Sequence, residues 1–361
     1  MKSSPPIRII RAFDLSPLQS QAIYHAVAES FTKDAPDTIC LVRPTKPYIS
    51  IGYHQDAEHE LDLEHLAQLG LPLIRRQVGG GAVYLDGNQI FLQWIFSPNS
   101  LPRSIESRYA IFIDPIVATY RDIGISAEMR PINDIQVAGR KIGGCGAARI
   151  GEAELLVSSF IFDIDLNIMA SVLKVDSNKM RDKLFHNLKE YVTSITRELG
   201  SAPPQDFVID SYLTHVQSLL QRDTYSDELS AAEMTRMAKA EEVLSSDQWT
   251  LDGGGRRVAG LKIQEGVVMH HATFKSPGGL IRWVLFLADD QIVDATLEGD
   301  FTIYPLDAPT RLADSLLGRQ LNAKLRADWD KLFASVVEEA PGVSASDMFA
   351  PIETIAAARK A

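Results

Sequence analysis

The chain has 361 residues, 45% of them hydrophobic and 23% charged, the mix of a globular protein with enough apolar material for a sizeable core. Its net charge of −11 argues against nucleic acid or an anionic membrane as a general partner, and no apolar run approaches the roughly 18 residues of a membrane span. Two cysteines, Cys40 and Cys145, are too few for a disulfide framework or a thiolate metal site. The opening MKSSPPIRIIRAFDLSP has no apolar stretch followed by a small-residue cleavage site, so a cytoplasmic location is expected.

Ser16-Pro17-Leu18-Gln19 reads as a helix start, with a capping serine, a proline at the first position and a glutamine closing a capping box. Short apolar runs bounded by turn residues follow at Ile39–Val42, Ile49–Gly52, Leu71–Ile74, Ala82–Leu85 and Ile90–Phe96, and predict strands. A helix is predicted at about Ile105–Ile123, strands at Ile135–Ala138 and Leu155–Asp163, and helices from about Leu166 to Leu220. The polar stretch 221–246 contains one helical segment, Ala231–Leu244, and reads as a connector. After Asp252-Gly253-Gly254-Gly255, strands are predicted at Val258–Ile263, Val267–Phe274, Leu280–Leu287 and Gln291–Leu297, then helices at Arg311–Leu317 and Ala323–Val337. The expected organisation is a larger α+β domain at 1–220, a connector at 221–246, a smaller α+β domain at 247–345 and a loose tail at 346–361.

Two glycine-rich segments carry candidate chemistry. In Arg75-Arg76-Gln77-Val78-Gly79-Gly80-Gly81-Ala82-Val83 a strand leads two arginines into three glycines. Glycine lets backbone N–H groups approach phosphate or carboxylate oxygens, and arginine offers a bidentate cation; a tight hairpin with solvated arginines is the alternative. The spacing is neither a Walker loop nor a dinucleotide fingerprint. In Asn133-Asp134-Ile135-Gln136-Val137-Ala138-Gly139-Arg140-Lys141-Ile142-Gly143-Gly144-Cys145 a short strand reverses through a Gly-Arg-Lys turn into a glycine-rich strand. Asp134 could hold Mg²⁺, and Lys141 could offer a compact positive charge to an oxygen on carbon or phosphorus; an exposed basic turn is the alternative. His270-His271 falls in a strand, where neighbours face opposite ways and cannot chelate one ion. Trp94, Trp249, Trp283 and Trp329 read as packing residues.

Together these segments resemble the catalytic domain of lipoate–protein ligases, a family related to biotin ligases and octanoyltransferases. The family's Arg-Arg-x-x-Gly-Gly-Gly-Ala-Val matches Arg75 to Val83, and its Asn-Asp followed by Gly-x-Lys-(Ile/Phe)-x-Gly matches Asn133, Asp134, Gly139, Lys141, Ile142 and Gly144. Asp165-Leu166-Asn167 and Val192-Thr193-Ser194-Ile195 resemble later family positions. Gly260-Leu261-Lys262, Gly278-Gly279-Leu280-Ile281 and Leu297-Glu298-Gly299-Asp300-Phe301 resemble the family's small accessory domain.

The resemblance implies an α+β fold: a mixed-sheet biotin/lipoate ligase-like catalytic domain that forms the acyl-adenylate, with a smaller α+β C-terminal accessory domain. It implies ATP, Mg²⁺, and lipoate or octanoate as substrate, and an apo-acceptor protein, lipoyl-domain or H-protein-like, that supplies a target lysine. It implies Lys141 as the catalytic residue, with Arg75, Arg76, Gly79, Gly80, Gly81, Ala82, Asn133, Asp134 and Gly144 around acid and nucleotide, and Asp134 on the metal. The sequence departs from the family at Tyr84-Leu85-Asp86-Gly87-Asn88 and at Leu155–Phe160, which lack the family's histidines. The octanoyltransferases of the superfamily use a cysteine nucleophile, acyl carrier protein and no ATP, and make Cys145 the candidate for a second mechanism, against a buried, inert thiol as the commoner alternative; a non-catalytic lipoyl-binding protein is the other alternative.

Overall fold

A computed structural model describes residues 5–175, 177–251 and 266–359. The glycine run from Asp252, the strand expected at Val258–Ile263 and the Gly260-Leu261-Lys262 resemblance lie outside the described residues. The chain divides into two units, Met1–Ser50 with Glu60–Arg76 and Ala82–Ser246, and Ile51–His59 with Gln77–Gly81 and Asp247–Ala361. Among the described residues no helix is long and apolar enough to cross a membrane.

Among the described residues twelve strands precede residue 230: β1 (Ile7–Leu15), β2 (Thr38–Pro44), β3 (Tyr48–Ile51), β4 (Leu73–Arg75), β5 (Val83–Leu85), β6 (Gln89–Phe96), β7 (Glu128–Arg130), β8 (Asp134–Val137), β9 (Arg140–Gly144), β10 (Gly146–Ile150), β11 (Ala153–Ile161) and β12 (Thr224–Asp227). The main sheet has the order β10-β11-β6-β2-β1-β12, and two small sheets have the orders β4-β3-β5 and β7-β8-β9. The main sheet is mixed: β1 runs parallel to β2 and β12, while β2, β6, β11 and β10 alternate in direction.

Consecutive strand residues point to opposite faces, and Gln93 and Trp94 on β6 show what covers each. Gln93 donates to the Ser20 carbonyl of the helix Pro17–Glu29, capped by Ser16 in the expected box. Trp94 donates to the Tyr212 hydroxyl at 2.7 Å and meets Phe112 edge-on, so helices Ile105–Asp122 and Gln205–Leu220 close the other face. Helices on both faces explain why β6 is buried along its whole length.

The structure corrects the expected connector at 221–246. Residues 224–227 are β12, in parallel register with Ile7–Ile10 of β1, and the helix Ala231–Leu244 packs on Pro17–Glu29. The tie is a buried ion pair: both Arg8 Nη atoms donate to Glu233 at 2.8 Å, with Arg8 8% and Glu233 4% exposed. Burial alone would push the Glu233 carboxyl up, but the Arg8 hydrogen bond and the cap on Ser230 hold it below the usual carboxylate range. The segment reads as polar because β12 is an edge strand and because Glu233 is buried as one half of a pair.

In the second unit β13 (Val267–Ser276), β14 (Gly279–Ala288) and β15 (Gln291–Gly299) form an antiparallel meander. Ile281, Trp283, Leu285 and Leu287 alternate along β14 into a core with the helices Ala308–Leu316, Ala323–Val336 and Ala345–Ala358. The expected loose tail at 346–361 is therefore corrected too. Ser344 and Asp347 make a capping box, and Met348, Phe349, Ile352 and Ile355 bury one face of the last helix. Trp283 and Trp329 donate to the Met348 and Ala345 carbonyls of the same segment. His270 and His271 lie on β13, in the strand the sequence predicts.

Candidate active site

The Asn-Asp and Gly-x-Lys segments form the hairpin β8–β9. It turns through Ala138 and Gly139, whose φ of 47° and 78° are both left-handed, as a two-residue hairpin turn requires. The turn thus falls one residue earlier than the expected Gly-Arg-Lys reversal: Arg140 and Lys141 already begin β9. Asp134 pairs with Gly144 and Ile135 with Gly143, but Gln136 pairs with Lys141, leaving Ile142 as an extra residue. Residues three apart on a regular strand face opposite ways. The bulge at Ile142 cancels one step and places Lys141 over Gly144.

The consequence is a fixed cation. Lys141 Nζ lies 2.6 Å from Asp134 Oδ1, with its side chain 50% exposed. A Cβ on Gly144 would stand 2.9 Å from both Cε and Nζ of Lys141, so glycine is what leaves room for the ammonium. Asn133 pins the end of the hairpin: its Nδ2 donates to the Cys145 carbonyl at 2.6 Å, and its carbonyl accepts from Cys145 N at 2.8 Å. Asn133, Asp134, Lys141 and Gly144 are therefore brought together in one hairpin.

Arg75 ends β4 and Arg76 follows it, in the same unit. Arg75 is fully buried, and Arg76 Nη1 donates to the Ser50 carbonyl of β3 at 3.1 Å. Ala82 precedes β5, which pairs with β3 through Ser50–Val83 and Tyr48–Leu85. Gly79, Gly80 and Gly81 belong to the second unit. Within it a Cβ at Gly79 would stand 2.4 Å from the Phe301 carbonyl oxygen, and Gly80 N donates to the Asp300 carbonyl at 3.1 Å with φ 95°. Gly79 is glycine for close backbone packing and Gly80 for its conformation. At Gly81 a Cβ would meet Asp300 Oδ2 at 3.8 Å, an ordinary contact.

Cys145 is buried, and burial pushes its thiol up to about 12; Cys40 is pushed up to about 12 for the same reason. A thiol so disfavoured as thiolate is a poor nucleophile. Asp165 serves as a cap, its Oδ1 accepting from Asn167 N and Ile168 N at the start of the helix Leu166–Val172. Sequence reasoning missed Arg140 and Glu198, joined by contacts of 2.8, 2.9 and 3.1 Å beside Lys141. Nothing in local spacing marks a pair 58 residues apart. It also missed the grouping of Asp56, His59 and Glu298 in the second unit, where Glu298 accepts from His59 at 2.8 Å and from Arg282 at 3.1 Å.

Comparison with known proteins gives this hairpin a context. A lipoate-protein ligase A subunit of Thermoplasma acidophilum is 33% identical over 159 residues, 41% of this chain and 60% of that protein. An octanoyltransferase LipM of Kyrpidia tusciae is 27% identical over 216 residues, 53% of this chain and 76% of that protein. The alignment with the first spans less than two thirds of its length. Among solved structures, the bipartite lipoate protein ligase of T. acidophilum matches with a TM-score of 0.64 at 25% identity over 71% of this chain and all of that one. The P. falciparum LipL1 structure has the same fold over 93% of this chain and 96% of its own, with a TM-score of 0.68 at 15% identity. The profile of the lipoyl protein ligase A/B catalytic domain matches residues 16–217, more than half of the chain and the whole of the Lys141 hairpin, and the protein belongs to that family.

Proposed function

We propose that the protein is an ATP-dependent acyl–protein ligase. A carboxylate oxygen of lipoate or octanoate attacks the α-phosphorus of ATP; the bond to the β-phosphate oxygen breaks and pyrophosphate leaves. The acceptor's lysine amine then attacks the carbonyl carbon of the mixed anhydride, AMP departs, and the amine's proton passes to solvent. The carrying observation is Lys141, held 2.6 Å from Asp134 over a glycine that leaves its ammonium room. Both half-reactions load negative charge onto oxygens around one phosphorus and one carbonyl carbon, which a pre-placed cation stabilises. Arg76 is assigned to the acid and phosphate, Asn133 and Asp134 to the nucleotide side. A single carboxylate suits a Mg²⁺ that arrives with the phosphates, since that ion keeps waters and takes one or two protein carboxylates.

The first unit is assigned the catalytic role and the second the accessory one. Lipoate-protein ligase names among the relatives, and a lipoate-protein ligase A structure described as bound with ATP, support the ligase reading. The T. acidophilum structure is described together with its E2 lipoyl domain, which favours a lipoyl-domain acceptor. Octanoyltransferase relatives supply the rival mechanism, and the buried, high-pKa Cys145 speaks against it here.

The test is exchange of labelled pyrophosphate into ATP with lipoate or octanoate and no acceptor. Exchange is expected, and Lys141→Ala should reduce it by about 10²–10³. No exchange, together with acyl transfer from an acyl carrier protein, would replace this reading with the transferase.

A further inference from the structure

We propose that Glu198 is a positioning residue for Lys141, acting through Arg140 and Thr193; the role rests on the ligase reading above. β9 is an edge strand of its three-stranded sheet, and its hairpin turn at Ala138 and Gly139 is exposed. The outer edge of β9 is met by residues 192 and 193. Lys141 and Val192 form a parallel bridge, and Thr193 N donates to the Lys141 carbonyl at 2.9 Å. The backbone of the proposed catalytic lysine is therefore held from outside its own hairpin.

Glu198 ties the two sides together. Its carboxylate accepts from Arg140 Nε and Nη2 and from the Thr193 hydroxyl. The ionised groups that face it are Arg140 from β9 and Arg197 from its own helix, Ile195–Leu199. Burial alone would raise its pKa, but the Arg140 and Thr193 hydrogen bonds and the two arginine charges hold it low, so it stays ionised through neutral pH.

The far side of the clamp is buried. Thr193, Ser194 and Ile195 are 1% exposed or less, and Thr196 N donates to the Phe162 carbonyl at the end of β11. The residue before Lys141 is thus bound through its side chain, and Lys141 through its carbonyl, to one turn anchored on the main sheet. A lone ion pair at a partly exposed site contributes little to stability. Here the pair and its hydroxyl partner fix the strand segment on which the ammonium is mounted, and displacement of about 1 Å at such a group costs rate rather than fold.

The experiment measures pyrophosphate exchange and thermal melting in Glu198→Gln, Glu198→Ala and Arg140→Ala, and pairs Glu198→Ala with Lys141→Ala. Glu198→Gln keeps the shape and the Thr193 contact and should lower kcat about tenfold; Glu198→Ala should lower it further, with KM for acid and ATP changed less than twofold. Arg140→Ala combined with Glu198→Ala should be no worse than the weaker single variant. In the Lys141→Ala background, Glu198→Ala should have no further effect, because it acts through a side chain already removed. Full kcat in both Glu198 variants, or equal losses with and without Lys141, overturns the positioning role. A wild-type protein that shows no exchange overturns the ligase reading instead, so the two failures are distinct.

Discussion

Replacing Gly144 by alanine separates the chemistry of the Lys141 hairpin from its folding. The new Cβ would stand 2.9 Å from Lys141 Cε and Nζ and 3.4 Å from Asp134 Oδ1, closer to the lysine than carbon atoms sit. What must move is the end of a flexible side chain, half exposed to solvent. The strain on the fold is accordingly small. Gly144 lies within β9 and is not among the glycines with positive φ, so alanine is compatible with its backbone. Restricting the unfolded chain should add about 0.4–1 kcal/mol of stability. Loosening the Lys141–Asp134 pair should remove no more than about 1 kcal/mol, since an exposed pair is screened. The melting temperature should therefore stay within a few degrees of wild type. The ammonium, however, is pushed about 1 Å or more from its seat, which for a group placed on a reacting centre costs up to about 10² in rate. Pyrophosphate exchange with lipoate and with octanoate, read as kcat and KM beside a thermal melt, is the assay. A variant that works at wild-type rate would show that Lys141 need not occupy this position, and a variant that melts early would show that Gly144 serves the fold.

Cys145→Ser should retain most ligase activity, and the native thiol should resist alkylation at pH 8, because burial keeps it protonated; loss of acyl transfer with trapping of a thioester would reverse that conclusion. Glu233→Ala strands the buried Arg8 guanidinium and should cost about 3 kcal/mol or more in a chemical melt of the first unit; an unchanged melt would mean that Asp227, 3.1 Å from Arg8 Nε, suffices alone. The Glu298 hydrogen bond raises the His59 pKa, so its contribution is complete below about 6.5 and fades as pH rises through the folded value. Burial alone would raise Glu298, but His59 and Arg282 bring it low, so its contribution is lost as pH falls below about 4.5 towards the folded value. Melting against pH should thus show a plateau between these limits, and His59→Asn should flatten its alkaline side relative to wild type.

The elements legible in the sequence were those whose local chemistry is complete in itself. The capping box at Ser16, the alternating run of β14 and the helix Ala231–Leu244 each carry period and boundary in neighbouring residues. What escaped depended on partners far along the chain. Ile7-Arg8-Ile9-Ile10 is interrupted by a charge that makes sense only once Glu233 lies against it, 225 residues away. β12 shows no apolar pattern because an edge strand beside β1 needs backbone pairing more than side-chain burial. The last helix was legible after all: Ser344 and Asp347 are a capping box, and the apolar residues behind it repeat at helical spacing.

At the candidate site the motif named the residues but not the reason for each. Gly79 and Gly144 look alike in a string. In the structure the first yields to a backbone carbonyl at Phe301 and the second to the ammonium of Lys141. The bulge at Ile142 is what makes that second use possible, and it arises from a pairing register that spacing alone does not reveal. Substitutions at the two positions should therefore fail differently. Alanine at Gly79 must displace backbone at 2.4 Å and should lower stability, whereas alanine at Gly144 moves only a side chain and should lower rate.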